Sequence, residues 1–376
     1  MGSYGEYLGK NFGKLGFGFM RLPKLGDGKI DIEQTKLMVD TFMEAGLTYF
    51  DTAYVYDGGD SERALKAALI DRYPRDSFTV ATKMNAWLGS PTEEEVKKQF
   101  EISLERTGAG YFDFYLLHAI QNNNIDVYEN YHLFDYVRQL KAEGKIKHWG
   151  FSFHGTPELL DKLLTEHTDV EFIQLQINYA DWNDETVASG RNVAVATKHK
   201  VPFVIMEPVK GGNLANPPAP VAAVLNAANP DVSNASWAIR FAASLDGCIA
   251  TLSGMSNLAQ VQDNVSYMKE FMPLTQEEQD VIKKAQEELA KIEQIKCTAC
   301  HYCVAGCPVG MRIPEIFAAM NKYLMNDLMR APRDFAKAID GAAKPSECLS
   351  CGQCEGACPQ SLPIISLLAR CADALE

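Results

Sequence analysis

Four residue types that together suit proton transfer to a carbonyl oxygen sit at the ends of three consecutive apolar runs. Asp51 and Tyr56 end the run Thr48–Asp51 and its loop, Lys83 ends Phe78–Lys83, and His118 ends Phe112–His118. A carbonyl that accepts hydride develops negative charge on oxygen, and a proton donor within ~3 Å must neutralise it. A phenol at its ordinary pKa of about 10 holds its proton too tightly at neutral pH. A neighbouring ammonium stabilises the phenolate, and a carboxylate keeps that ammonium charged and aimed. An imidazole at the same oxygen orients the substrate. The expected roles are acid/base for Tyr56, pKa tuner for Lys83, lysine partner for Asp51 and orienter for His118. Singly, each has a plain structural explanation (a packing tyrosine, a solvated lysine, a hydrogen-bonded histidine). Their joint placement on three successive strands is what points to chemistry.

A second set of chemistry-bearing residues lies at the other end of the chain. Of ten cysteines, eight fall in two matching runs, CTACHYCVAGCP (Cys297 to Pro308) and CLSCGQCEGACP (Cys348 to Pro359). Each reads C-x2-C-x2-C-x3-C-P, the spacing with which thiolates wrap a cubane iron–sulfur cluster. Zinc is the alternative; it favours paired C-x2-C in fours, and the third cysteine and the Cys-Pro in both runs argue against it. Disulfides are disfavoured in a reducing compartment. Cys248 and Cys371 fall outside both motifs and read as buried small residues.

The elements that must position these groups alternate along residues 13 to about 270. Apolar runs at Phe17–Met20, Thr48–Asp51, Phe78–Lys83, Phe112–His118, Lys147–Phe153, Phe172–Asn178, Pro202–Pro208 and Ile249–Gly254 read as strands. Amphipathic patterns at Ile32–Ala45, Ser61–Ile70, Thr92–Arg106, Tyr131–Glu143, Pro157–His167, Glu185–His199, Ser233–Leu245 and Leu258–Met268 read as helices. Eight such repeats make the count of an α/β (β/α)8 TIM barrel, whose active sites lie at the C-terminal ends of the strands. Near-continuous apolar strands such as FDFYLL suit a parallel sheet buried on both faces. An open doubly wound sheet shares the pattern, but GFGFMR lacks the third glycine of a dinucleotide fingerprint and runs into Pro23. Thr275 three residues before Glu278 marks a capped helix leading toward the cysteine tail.

The composition is that of an ordinary globular protein, 47% hydrophobic with a formal charge of -13. Without a long basic run, a nucleic-acid partner is not expected. No stretch of ~18 apolar residues and no apolar core behind a basic start are seen, so neither a membrane span nor a secretory leader is expected. The expected location is the cytoplasm.

With these residues in view, "GLTYFDTAYVYDGGDSE", "ATK" and "LLH" resemble the aldo/keto reductase family over roughly residues 13–270. That family's barrel carries an Asp–Tyr–Lys–His tetrad, which the resemblance maps onto Asp51, Tyr56, Lys83 and His118. It implies a nicotinamide cofactor, NADP(H) or NAD(H), extended across the barrel mouth. Its carboxamide end would be held by Ser152 and Gln174, with Met20 from the first strand end nearby. Its phosphate end would be held by Gly254, Ser256, Gln260, Asp263 and Asn264, in a stretch similar to the family's GxSNxxQxxxN pattern. Two departures stand out. Met206 and Glu207 end strand seven, where many members place an aromatic that stacks on the nicotinamide. No Lys or Arg occurs in Gly254–Asn264 to meet a 2′-phosphate, and Lys210 is a distant substitute.

The tail, about residues 290–376, resembles bacterial two-cluster ferredoxins, here as a helix-rich variant with helical patterns at Pro314–Met325 and Asp334–Ile339. The resemblance implies two [4Fe-4S] clusters with crossed ligands. Cys297, Cys300 and Cys303 would share one with Cys358; Cys348, Cys351 and Cys354 would share the other with Cys307. The long Gly310–Pro345 segment leaves uncrossed ligation as the alternative. The expected organisation is a barrel over 1–285 and a mostly helical ferredoxin-like domain over 286–376.

Three functions fit. One is a reductase of a small-molecule carbonyl (or oxidase of the alcohol) using nicotinamide, its clusters exchanging electrons with a ferredoxin or flavodoxin. Another is a remodelled site served by a flavin or by the clusters, because hydride carries two electrons and a cluster one. The last is a non-enzymatic redox-sensing subunit. Substrate choice falls to the loops Asn85–Ser90 and Gln121–Tyr128, in which Trp87 offers an apolar surface.

Overall fold

The computed structural model describes residues 12–89, 91–325 and 329–376. Residues 1–11, part of the N-terminal stretch in which no leader is expected, and Ser90, the last residue of the expected substrate loop Asn85–Ser90, lie outside the described residues. Strands β1 (Leu15–Gly18), β2 (Tyr49–Asp51), β3 (Thr79–Met84), β4 (Phe112–Ile120), β5 (Ile146–Phe153), β6 (Phe172–Gln176), β7 (Phe203–Met206) and β8 (Cys248–Gly254) pair in parallel in chain order. The sheet closes where β1 meets β8, Leu15 opposite Thr251 and Gly18 opposite Gly254. All nine residues of β4 are buried, the two-sided burial that its continuous apolar run requires. Tyr49, Phe114, Phe172 and Leu252 belong to a core of their own. The larger core includes Phe17, Phe50, Tyr115 and Leu117 together with Phe42, Phe100 and Leu163 of the surrounding helices.

Differences from the sequence reading have local causes. β1 begins two residues earlier than expected, and Phe19–Arg21 coil into a 3-10 turn, which puts Met20 and Arg21 on the barrel mouth. The helix expected at Ser61 starts at Asp60 and passes into a π-helical turn at Lys66–Ile70. Between β7 and β8 there are two helices, Ala219–Ala228 and Asn234–Ala243. The first was missed because PAPVAAVLNAA has almost no polar residues and so no amphipathic period. A short helix, Ile125–Asn130, also follows β4. The capping box at Thr275 is formed. Its helix, Gln276–Ala290, buries Ile282, Ala285 and Leu289 in one cluster with Val221, Leu225 and Trp237, so residue 285 falls inside an element that packs on the barrel.

Beyond that helix, Ile313–Leu324, Arg330–Ile339 and Ile364–Leu375 gather Ile316, Phe317, Met320, Phe335 and Leu368 into a separate small core. This cysteine-rich module is fastened over the barrel mouth. Arg21 Nη2 donates to the Thr298 carbonyl at 2.7 Å, and Asn213 Nδ2 donates to that of Cys297 at 3.2 Å. The buried amides of Gln176 and Gln360 exchange two hydrogen bonds of 2.8 Å. Lys296 pairs with Asp184. Gly211, at φ +65°, lies so close that a Cβ there would meet the Thr298 carbonyl oxygen at 2.2 Å; only glycine permits this approach. Among the described residues, no helix is long and apolar enough to cross a membrane.

Candidate active site

β2, β3 and β4 lie side by side, so their C-terminal ends bring Asp51, Lys83 and His118 to one place. Lys83 Nζ donates to Asp51 Oδ1 at 2.5 Å and to the Thr52 carbonyl at 2.7 Å. Both charged side chains are almost fully buried. Burial pulls the pair toward neutrality, lowering the lysine and raising the aspartate, while their mutual attraction opposes it. Tyr56 sits with its ring centre 5.2 Å from Lys83 Nζ and 5.6 Å, edge to face, from the His118 ring. Burial, aided by the neighbouring Tyr302, Asp51 and Glu207, holds the phenol well above its ordinary pKa. Burial outweighs the lowering expected from Lys83, whose own bonds go to Asp51 and Thr52. Burial, with Lys83 and His154 nearby, keeps His118 neutral.

Tyr56, His118 and Asp51 line a cavity of about 290 Å³ that runs to the β8 end. Met20, Gln174, Met206 and Glu207 line its middle, and Gly254, Ser256, Gln260, Asp263 and Asn264 its far end. Ser152 is buried instead, its hydroxyl accepting the Ala119 N–H at 2.7 Å. Gln174 Nε2 leans on Asp51 Oδ2 at 3.4 Å. At the far end Asn257 caps the helix Leu258–Met268, and Ser256 donates its N–H to Gln260 Oε1 at 2.7 Å. Asn264 donates to Ser253 Oγ at 2.9 Å, and Asp263 accepts from Ser233 Oγ at 2.7 Å. Lys210 is buried in an ion pair with Asp181, so it is not free to meet a phosphate. Arg21 lines this cavity instead, 3.8 Å from Glu207.

Among the described residues, the buried atoms His118 Nδ1, His154 Nδ1 and Thr298 Oγ1 have no hydrogen-bond partner, and all three residues line the cavity. Buried polar atoms rarely stay unpaired, so the cavity suits a polar guest. His154, Thr298 and Arg21 escaped the sequence reading, as did the part that Cys300, Tyr302 and Gln360 of the module take in the cavity wall. Tyr302 shares this wall with Tyr56. Its ring packs edge to face on Trp87, centres 5.5 Å apart, and lies 6.5 Å from His118. Trp87, expected to offer itself to substrate, thus packs on the module.

All ten cysteines are free thiols. Cys297, Cys300, Cys303 and Cys358 line one small hollow; Cys307, Cys348, Cys351 and Cys354 line another. Burial raises the Cys297 thiol to about 11 and that of Cys300 to about 12. Two such nests of four sulfurs suit a cationic iron core, which offsets the cost of buried thiolate charge.

Residues 14–287 match the aldo/keto reductase family, and residues 296–362 match the 4Fe-4S dicluster domain. An oxidoreductase of Bacillus subtilis, YqkF, is 24% identical over 290 residues, 65% of this chain and 90% of that protein. Aldo-keto reductase relatives from Glycine max and Homo sapiens align over less than half of their own length, whereas L-galactose dehydrogenase of Arabidopsis thaliana, 24% identical, aligns over 80% of its own and 66% of this chain. The aldo-keto reductase AKR11C1 from Bacillus halodurans superposes with a TM-score of 0.57 at 25% identity, covering 72% of this chain and 91% of that one. An aldo/keto reductase from Klebsiella pneumoniae, solved with NADP and acetate, gives 0.59 at 19% identity, covering 74% and 93%. The chain therefore belongs to the aldo/keto reductase family and carries a 4Fe-4S dicluster domain at its C-terminal end.

Proposed function

We propose that this oxidoreductase reduces a small carbonyl, or oxidises the matching alcohol, at Asp51, Tyr56, Lys83 and His118, with NADP(H) or NAD(H) held along the cavity. The observation that carries this reading is the shared cavity: Tyr56 and His118 open on the same space as Gly254 and Ser256. When bound, the nicotinamide supplies or takes up hydride, and each cluster carries one electron. Tyr56 keeps its proton until negative charge grows on the substrate oxygen, then gives it up. Lys83, fixed by Asp51, places a cation beside the phenolate left behind. Neutral His118 turns a ring nitrogen toward the same oxygen and fixes its position. Gln174 and His154 would orient the cofactor's carboxamide end, and the Gly254–Asn264 stretch its phosphates. We assign Cys297, Cys300, Cys303 and Cys358 to one cluster and Cys307, Cys348, Cys351 and Cys354 to the other. Exposed Cys351 faces an external partner such as ferredoxin or flavodoxin in the cytoplasm.

The test is NADPH-dependent turnover of 4-nitrobenzaldehyde and methylglyoxal by anaerobically purified protein. Tyr56→Phe is expected to lose ~100-fold or more in kcat; undiminished turnover in that variant refutes the assignment. A flavin-dependent reading has one observation behind it, Cys300 and Tyr302 on the cavity wall. It is favoured over nicotinamide if yellow absorbance survives removal of the clusters.

A further inference from the structure

We infer that Tyr302, contributed by the iron–sulfur module, is an additional oxygen-binding residue of the active site, so that substrate oxygen is received between the hydroxyls of Tyr56 and Tyr302. This rests on the proposed role of Tyr56 and adds to it a group from outside the barrel.

The starting point is what Tyr56 must touch. The carbonyl oxygen has to come within hydrogen-bond reach of its hydroxyl. Tyr302 stands beside the same space: it lines the cavity with Tyr56, and its ring centre is 6.5 Å from that of His118, on which Tyr56 packs edge to face at 5.6 Å. A carbonyl can reach Tyr56 by pushing Tyr302 aside or by settling beside it. The first route is obstructed. The Tyr302 ring is braced edge to face on Trp87 at 5.5 Å between centres, and its backbone lies between Cys300 and Cys303 in one cluster nest. The same loop is tied down by Arg21 on the Thr298 carbonyl at 2.7 Å and at a second point by Asn213 on the Cys297 carbonyl at 3.2 Å. A braced ring leaves the fork between the two phenols, with His118 on the third side, as the place for an oxygen.

The cysteine motif itself does not ask for this residue. The two runs match in spacing, yet between their second and third cysteines one has His301-Tyr302 and the other Gly352-Gln353. Gln353 is exposed, whereas Tyr302 lines the cavity. An aromatic hydroxyl at one of two equivalent positions, on the wall of the cavity that holds the acid/base residue, is explained by a task in the barrel. Hydroxyl hydrogens rotate to suit their partner. Tyr302 can therefore turn its hydroxyl to donate to the substrate oxygen as charge grows there. It keeps its own proton throughout.

The decisive variant is Tyr302→Phe, which keeps the ring on Trp87 and removes only the hydroxyl. A donor that acts on developing charge affects kcat more than KM. The expected loss with 4-nitrobenzaldehyde is roughly 10- to 100-fold in kcat, with KM changed less than about threefold. Iron and sulfide content, and NADPH affinity by fluorescence quenching, are expected to stay as in the parent. In a Tyr56→Phe background the second change should add little, since both act on one oxygen. A parallel readout needs no turnover: acetate, titrated calorimetrically into NADP-loaded holoprotein, presents an oxygen to the same fork and is expected to bind several-fold more weakly to Tyr302→Phe. Unchanged kcat, losses fully additive with Tyr56→Phe, or undiminished acetate affinity would each overturn the inference. If Tyr56→Phe is itself harmless, the underlying functional reading fails; if Tyr56→Phe is crippled and Tyr302→Phe normal, only this inference fails.

Discussion

Replacing Lys83 by methionine isolates the energetics of the buried charge pair. The side chains of Lys83 and Asp51 are 1% and 4% exposed and in contact at 2.5 Å. Methionine fills similar volume, so packing changes little, but Asp51 is left without its counter-charge. A buried unpaired carboxylate either stays ionised, at about 3–5 kcal/mol, or takes up a proton. At pH 7 the second course costs about 4 kcal/mol, three pH units above an ordinary carboxylate pKa at ~1.36 kcal/mol each. The two limits agree, so Lys83→Met should lose about 4 kcal/mol at pH 7, a fall of ~10 °C in the melting temperature of a domain this size. The sign of the pH dependence follows. In the variant the folded Asp51 has a pKa raised above its unfolded value, so the folded state binds more protons and gains stability as pH falls. Between pH 7 and 5.5 about 2 kcal/mol should return. The double variant Asp51→Asn, Lys83→Met should be more stable than Lys83→Met alone at pH 7. Thermal unfolding followed by circular dichroism on anaerobic holoprotein at the two pH values is the assay. A loss independent of pH, or one deepened by Asp51→Asn, would refute the charge-pair account.

Two further predictions concern chemistry. With His118 held neutral by burial and Tyr56 held protonated, neither changes state between about pH 6 and 9, so kcat/KM for carbonyl reduction should be flat across that range; an inflection near 6.5 that disappears in His118→Gln would show that His118 titrates after all. Under crossed ligation, Cys358→Ser should disturb the cluster beside the cavity and reduce carbonyl turnover, whereas Cys307→Ser should damage only the outer cluster and spare it. Both should lower iron from about eight per chain toward about four; the reverse pattern of turnover would establish uncrossed pairing.

Much of the barrel was legible because its signals are local. Runs such as FDFYLL need no partner to be recognised, and the strand-end rule then singles out Asp51, Lys83 and His118. What escaped depends on contacts between residues far apart in sequence. Nothing near Arg21 shows that its guanidinium will hold the Thr298 carbonyl, and nothing near Gln176 shows that it will pair with Gln360. Trp87 read as a substrate contact because the ring that covers it comes from residue 302. His154 could have been found: strand alternation puts it two residues beyond Ser152, on the same face. Ser152 itself was assigned from a family position, but a neighbouring backbone N–H, that of Ala119, claims its hydroxyl.

The placement of the module bears on why one-electron centres accompany a hydride site at all. A module tethered only to deliver electrons would need a flexible linker and a single point of approach. This one is fixed by a carbonyl clasp at Arg21, a paired-amide latch at Gln176 and Gln360, and a glycine contact at Gly211 that tolerates no side chain. It also supplies wall to the reaction cavity through Thr298, Cys300, Tyr302 and Gln360. Anything that loosens the loop from Cys297 to Cys303 must therefore alter the shape and hydrogen bonding of the space in front of Tyr56. If the proposed reading holds, cluster assembly and active-site assembly are one event, and protein stripped of iron should turn over carbonyl poorly even with its barrel fully folded.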